Sequence, residues 1–445
     1  MNKQEMKSKV LAAIDQRREQ IIALGEQIRL NPELGYKEHK TAALVESVYE
    51  ELGLTYERQI AITGSKAELP GGAHQVRVAV MGELDAVVCP EHPDAHPETG
   101  AAHSCGHNAQ VAAMLGMAMG LIDAEVMPRL GGDVVLIAVP AEEPVEIEWR
   151  QRLREQGKIS FLGGKQEMIK LGALDDVDMT VMFHSTATGP NRKASVGGTA
   201  NGFVAKFIRY HGKEAHAGGA PHLGINALNA AMLGLQAIHA NRETFRDADT
   251  IRIHPIITKG GDLVNIIPAD VRMETYVRGR TMPAILDASR KVNRALRAGA
   301  MAVGAEVDII EIPGFLPRVS NPRMDELFRE NIAALVGAEN VATGTHGAGS
   351  SDIGDVMHIM PAIHPYVAGA AGAGHTKDYR VDDPELFYIV PAKALAMTVI
   401  DLLADDAAEA RAVKEEYPPL LSKEEYLRQW EEFCADGAQE QGEDQ

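Results

Sequence analysis

Residues 102–110 read AHSCGHNAQ, with Cys105 and His107 two apart and His103 just ahead of them. A thiolate and an imidazole at that spacing suit a metal ion, but two donors do not complete a site. Further donors stand at the ends of apolar runs. Glu83 and Asp85 follow QVRVAVMG, Glu142 and Glu143 follow DVVLIAVPA, His184 follows VDMTVMF, and His375 sits in the glycine-rich loop GAAGAGHTKDY. In open α/β sheets ligands gather at the carboxyl ends of strands, so these side chains can face one cleft. Adjacent acids after a buried strand point in different directions, so one of Glu142 and Glu143 can bind metal while the other turns toward a substrate as a base. Each residue has a plainer reading by itself: Cys105 as a buried thiol, His184 as a core histidine, His375 as a turn cap, the acid pair as a solvated loop. The joint pattern favours a metal. Cys and His suit zinc, and a carboxylate among them also admits manganese or cobalt. Asp85 is placed to orient an imidazole through its free N–H. A hydrolase with Cys105 as nucleophile is the competing chemistry, and it leaves the acid pair unexplained.

These side chains need a scaffold. Helical periodicity covers residues 4–29, and a turn and second helix follow within NPELGYKEHKTAALVESVYEELGL. Apolar strand runs at QVRVAVM, DVVLIAV and VDMTVMF alternate with the helical stretches NAQVAAMLGMAMGLIDA and QEMIKLGALDD. Strands separated by helices imply a mostly parallel sheet covered on both faces. From residue 196 the pattern changes. GFVAKFIRYHG, HLGINALNAAMLGLQAIHA, TIRIHPIIT, VRMETYVRG, PAILDASRKVNRALRAGAMAVG and EVDIIEIPG run β-α-β-β-α-β, the order of a ferredoxin-like unit. The sequence therefore predicts an α/β catalytic domain in two parts, 1–195 and 314–445, interrupted by a smaller domain at 196–313. The acidic tail from Asp436 has little to bury and is expected to be mobile.

Composition narrows the function. With 44 basic and 63 acidic residues the net charge is −19, which argues against a nucleic-acid binder. No run of eighteen apolar residues appears, so no membrane span is expected. Three cysteines in 445 residues suggest a reducing compartment, with the cytoplasm as default.

The ordered series GELDAV, HSCGHN, PAEE, a strand ending in FH, HGKEAHAG, GINAL, GGDLVNIIPADV and GHTKDY resembles the aminoacylase and carboxypeptidase G-type family of metal-dependent amidohydrolases. The Cys-Gly-His form is nearest its aminobenzoyl-glutamate and auxin-conjugate hydrolase branch. The similarity runs from about residue 28 to about residue 403. It implies one or two divalent metal ions held by Cys105, His107, Glu143, His184 and His375, with Glu142 as general base; Asp85, which orients an imidazole by its position, is counted with Glu142 and His216 among the catalytic residues. It also implies that the insert is a lid and a homodimerisation surface. His216 would reach a partner subunit's active site, and Asn265 and Arg278 would hold the substrate. The implied reaction is hydrolysis of the amide bond of an N-acyl amino acid, an aminobenzoyl-glutamate-like conjugate or a small dipeptide. The alternative is an inactive metal-dependent binding protein for such compounds. Three departures bear on this. Asn108 stands where many relatives have Asp, which would alter metal electrostatics. The charged segment 145–165 follows the acid pair, where relatives have glycines, and should reshape one cleft wall. Ser351 replaces a Glu before Asp352, and His358 and His364 nearby fit either pocket or core.

Overall fold

The computed structural model describes residues 1–189 and 192–442, with side chains as far as Cys434. Its centre is a six-stranded sheet. Asp133–Val139, buried at every position, pairs parallel with Arg77–Glu83; Met179–Val181 and then Ala362–Ile363 continue the parallel half. Strands buried on both faces need apolar residues at successive positions, which is why these runs lack alternation. The other edge is an antiparallel hairpin, Thr55–Ile60 and Gly64–Leu69, which the sequence reading passed over. Its outer strand, TYERQI, is charged and half exposed, so no apolar period marks it.

Helix His107–Asp123 is apolar all round and buried from His107 to Leu121. It packs against the sheet and against the helices Lys3–Gln16, Arg18–Arg29 and Val390–Glu416. The single helix expected over 4–29 is thus two, meeting at Arg17 with φ −89° and ψ 3°. One stretch, Glu385–Glu416, is long and apolar enough to cross a membrane by length and composition, although its backbone leaves helical geometry at Ala404–Ala407. Inside the protein 94 % of its apolar window is buried, which marks a core helix.

The insert forms the expected ferredoxin-like layer. Gly202–His211 pairs antiparallel with both Asp270–Gly279 and Glu306–Ile312, and the split strand Arg252–Ile253 and Ile256–Lys259 borders Asp270–Gly279. Helices Ala227–Ala240 and Met282–Val303 cover it. In the latter, Ile285, Ala288, Ser289, Val292, Leu296 and Gly299 are buried at helical spacing.

Two strand runs change sheets. VDMTVMFHS breaks after Val181, and its continuation His184–Ala187 joins a second sheet beside Tyr366–Ala371. Ala362–Ile363 and Tyr366–Ala371 make the same switch. His184 therefore opens a strand of the second sheet instead of closing one of the first. The charged segment after the acid pair contains a helix, Ile147–Glu155. The expected mobility of the tail from Asp436 concerns side chains outside the described residues.

Candidate active site

Backbone shape brings the donors together. Gly106, at φ 84°, caps helix His107–Asp123 between Cys105 and His107. A Cβ there would stand 2.0 Å from Ser185 Oγ and 2.4 Å from Tyr379 Oη, so only glycine fits. Ala141 is left-handed at φ 51°, an unfavourable shape for a residue with a Cβ. Its N–H donates to Glu38 Oε1 at 2.7 Å, and the turn delivers Glu142 and Glu143 off the end of the central strand. His375 is also left-handed, at φ 60°, in its glycine-rich loop.

Cys105 Sγ lies 3.4 Å from His184 Nε2 and 3.3 Å from His375 Nε2. His375 Nε2 is 3.0 Å from Glu143 Oε1, and His107 Nε2 is 3.0 Å from Glu83 Oε2 and 4.0 Å from Glu142 Oε2. Three groups have ligand atoms all within 4.8 Å of one another: Cys105, His107 and His184; Cys105, Glu143 and His375; Glu83, His107 and Glu142. The thiol belongs to two of them. The ring nitrogens facing away are already committed. His107 Nδ1 donates to the Asp85 carbonyl at 2.8 Å and lies 3.2 Å from Asp85 Oδ1, while His184 Nδ1 donates to the Ser185 carbonyl at 2.7 Å. That leaves His107 Nε2 buried beside the Glu83 carboxylate but making no hydrogen bond to it. Imidazoles pinned by one nitrogen with the other aimed at a thiol and carboxylates fit a metal site. Asp85 Oδ2 also accepts the Glu143 N–H at 2.9 Å, so one carboxylate holds both an imidazole and the acid loop.

The charges respond to one another. Burial and the Glu143 carboxylate push the Cys105 thiol up, but His107 and His184 outweigh them and bring it down to about 6. Hydrogen bonds to Cys105 and Glu143 raise His375 to about 11. Burial would raise Glu143, yet its bond to His375 draws it down to about 2. Glu142 has no such partner, and burial together with Glu83 and Glu143 lifts it well above the carboxylate range. The neighbouring acids thus differ sharply in proton affinity, as an acid–base residue beside an ionised donor requires.

Other residues occupy the same cavity, about 420 Å³ in volume, or stand apart from it. Arg278 lines it with Cys105, Glu142, Glu143, His184 and His375, and donates to Ser350 Oγ at 2.9 Å. His216 and Asn265 do not line it. They lie together on an exposed face of the insert, where the Ala217 N–H donates to the Asn265 carbonyl at 2.9 Å. Asn108 faces away from the donors, with Nδ2 donating to Tyr388 Oη at 2.8 Å and to the Gly25 carbonyl at 3.2 Å. The expected effect of Asn108 on the metal is therefore replaced by a packing role, which an Asp could not fill because it cannot donate to a carbonyl. His364 lines the cavity, whereas His358 bonds the Gly354 carbonyl outside it.

Three residues escaped the sequence reading. Lys165, fully buried, bridges Glu83 Oε1 and Asp352 Oδ1 at 2.5 Å each, so Asp352 anchors a lysine behind the donors. Arg150, from the charged segment, donates to the Glu143 and Leu162 carbonyls at 2.6 Å each. Arg318 lines the cavity beside His364 and Tyr366. The charged segment 145–165, singled out by its composition, contains Arg150 and Lys165, whereas nothing local marks Arg318.

Comparison with known proteins identifies the family. The chain matches Peptidase family M20/M25/M40 over residues 79–396. It is 28% identical over 448 residues to the Xaa-Arg dipeptidase of Mus musculus, covering 95% of this chain and 94% of that one. It is 26% identical to the Arabidopsis thaliana IAA-amino acid hydrolase ILR1-like 4, over 78% of this chain and 76% of that one. Among solved structures, the Bacillus subtilis YXEP protein, a dinuclear metal-binding peptidase of the M20 family, superposes with a TM-score of 0.63 at 20% identity, covering 87% of this chain and 99% of that one. The chain therefore belongs to peptidase family M20/M25/M40 and is a metal-dependent amidohydrolase.

Proposed function

We propose that the protein cleaves the amide bond of an N-acyl amino acid, an aminobenzoyl-glutamate-like conjugate or a small dipeptide. The observation that carries this reading is the Cys105 thiol shared between two three-donor groups, with Glu142 and Arg278 in the same cavity. Cys105, His107 and His184 would hold one ion, and Cys105, Glu143 and His375 a second. The dinuclear centre of the Bacillus subtilis relative supports two ions. Thiolate and imidazole donors favour zinc, with manganese or cobalt as competitors. When bound, the metal polarises the scissile carbonyl and acidifies the attacking water.

Glu142 takes the proton from that water and passes it to the leaving amine. Asp85 fixes the His107 tautomer and the start of the acid loop together. Arg278 pairs with the substrate's free carboxylate in the fork geometry that a guanidinium offers. His216 and Asn265 act in a partner subunit of a homodimer, His216 by donating to the developing oxyanion and Asn265 by holding the substrate. Their exposure supports this, as do the apolar Leu263 and Val264 beside them, 60 % and 102 % exposed. The lid in this reading is residues 196–313, between catalytic segments 1–195 and 314–445. The three free cysteines support a cytoplasmic setting.

The test is metal analysis of the purified protein with a hydrolysis screen of N-acyl amino acids, aminobenzoyl-glutamate and dipeptides, each with and without chelator. Chelator-sensitive release of a free amino acid is expected, and its absence across the screen removes the proposal. Mixing Glu142→Gln and His216→Ala proteins should restore activity through hybrid dimers. No recovery after demonstrated subunit exchange rules out the trans role of His216.

A further inference from the structure

The cavity holds a second cationic end that the reading above leaves without a task. Arg318 is 6 % exposed and lines the same cavity as Cys105, Glu142 and Arg278. Its guanidinium reaches His364 Nδ1 at 2.5 Å and Tyr366 Oη at 2.9 Å, and lies 5.2 Å from the centre of the Tyr366 ring. Among the described residues no carboxylate lies within ion-pair distance of it. Asp325, on the following helix, gives its Oδ1 to the Ser320 hydroxyl at 2.9 Å. Asp325 is near enough to feel its charge, yet a buried guanidinium hydrogen-bonded only to neutral groups is costly unless an anion joins it.

His364 supplies an independent observation. A guanidinium can only donate, so His364 Nδ1 must accept from Arg318 and the imidazole proton must sit on Nε2. That N–H has no partner, although His364 is only 3 % exposed and lines the cavity. Buried donors are rarely left unpaired, so an acceptor is missing at this point. The position relative to Arg278 follows from strand pairing. Arg318 stands opposite Ala200 and Arg278 opposite Phe203, so both are brought to the cavity by pairing with the same short stretch of chain. Arg278 also lacks a carboxylate within ion-pair distance among the described residues. Arg278 and Arg318 are thus two guanidinium groups removed from solvent without a paired carboxylate in the space that holds the donor cluster, and the exposed Arg192 lines it as well.

We propose that Arg318 and His364 form a second carboxylate subsite, so that the preferred substrate carries two carboxylates. One is the free carboxylate at Arg278. The other belongs either to an acidic side chain on the released amino acid or to a dicarboxylic acyl group. The inference rests on the amide hydrolysis and the Arg278 assignment proposed above. A planar carboxylate matches the free Nε–Nη2 edge of the Arg318 guanidinium, whose Nη1 is held by His364 and Tyr366, and the His364 Nε2–H on the far side of that ring is left for a further acceptor on the substrate.

Two matched substrate pairs on the zinc- or manganese-loaded protein separate the sources. N-acetylglutamate against N-acetylglutamine places the extra charge on the amino side, and N-succinylleucine against N-butyrylleucine places it on the acyl side. The acidic member of one pair should be favoured in kcat/KM by about tenfold or more, as a charge-assisted contact implies. Arg318→Gln should bring that ratio close to one, and Arg318→Lys should keep part of it. Thermal unfolding and metal content check the fold of each variant, and His364→Gln, expected to lower the ratio, serves if Arg318→Gln does not fold. Equal turnover within both pairs, or a ratio that survives Arg318→Gln, overturns the subsite while leaving amide hydrolysis standing. If nothing is turned over, the proposed function fails, and calorimetric binding of glutarate against butyrate still decides the subsite. Tighter glutarate binding by about tenfold, lost in Arg318→Gln, supports it, and equal binding refutes it.

Discussion

Replacing Arg150 with methionine removes a fully buried guanidinium that donates to the Leu162 and Glu143 carbonyls at 2.6 Å each. Both carbonyls would lose these donors inside the protein. Hydrogen bonds from a charged donor are worth about 1.5–3 kcal/mol each, so the pair contributes about 3–6 kcal/mol. Part of this is recovered, because methionine strips no water from a cation. Among the described residues the native guanidinium has no carboxylate partner, only the Tyr36 ring at 5.3 Å. The net expectation is a loss of about 2–4 kcal/mol. At about 2.1 cal/mol/K of unfolding entropy per residue, a cooperative 445-residue chain converts that into a fall of about 2–4 °C in Tm. The same bond holds the backbone of Glu143, so the acid loop should loosen and metal affinity fall by about tenfold or more. Melting without metal and chelator-competition titration measure the two effects separately. Arg150→Lys, able to reach one carbonyl, should be intermediate in both. A methionine variant that melts and binds metal like wild type would falsify the anchoring argument. Lower stability with unchanged metal affinity would restrict Arg150 to packing.

Glu142→Gln should keep its metal, since metal content is carried by other donors, and lose on the order of a hundredfold or more in rate; full turnover with metal bound would remove Glu142 as base. Metal affinity should rise with pH. The Cys105 thiol and Glu143 hold His375 protonated up to about 11 in the metal-free protein, so loading must displace that proton, and affinity should gain about tenfold per pH unit for each proton released. Below about 6 the thiol also protonates and the dependence should steepen; chelator-competition titrations that stay flat with pH would contradict this. Asn108→Asp should destabilise by about 1–3 kcal/mol, because the carboxylate cannot donate to the Gly25 carbonyl, and should leave metal content unchanged; equal stability by denaturant melting would oppose it. Cys105 should resist alkylation when metal is bound and react once it is stripped, whereas a nucleophilic role predicts reaction with metal present.

The architecture was legible where burial imposes a period. Asp133–Val139 has to be apolar throughout because both its faces are covered, and Met282–Val303 has to repeat at helical spacing because one face packs on the inserted sheet. The donors were legible for a related reason. A polar residue directly after such a run has nowhere to go but the sheet edge, which is why Glu83, Asp85, Glu142 and Glu143 could be picked out. The hairpin Thr55–Leu69 left no trace because its edge strand is exposed and mixed in character. His184 was placed at the end of a strand because the run VDMTVMFHS hides the point where the chain changes sheets.

The residues that support the donors are harder to read, and the reason is physical. Lys165, Arg150 and Arg318 are charged side chains, and local sequence assigns charge to solvent. Two of them meet partners far along the chain, Asp352 187 residues from Lys165 and His364 46 from Arg318, while Arg150 bonds nearby backbone carbonyls that no residue type announces. Local pattern therefore identifies atoms that can do chemistry, while the groups that orient them and choose the substrate are fixed by tertiary pairing. Lys165 and Arg318 illustrate the two outcomes of burying a cation. Lys165 meets Glu83 and Asp352 and is satisfied within the protein. Arg318 hydrogen-bonds only an imidazole and a phenol and has no carboxylate within ion-pair distance among the described residues, which is the ground for the proposed second subsite.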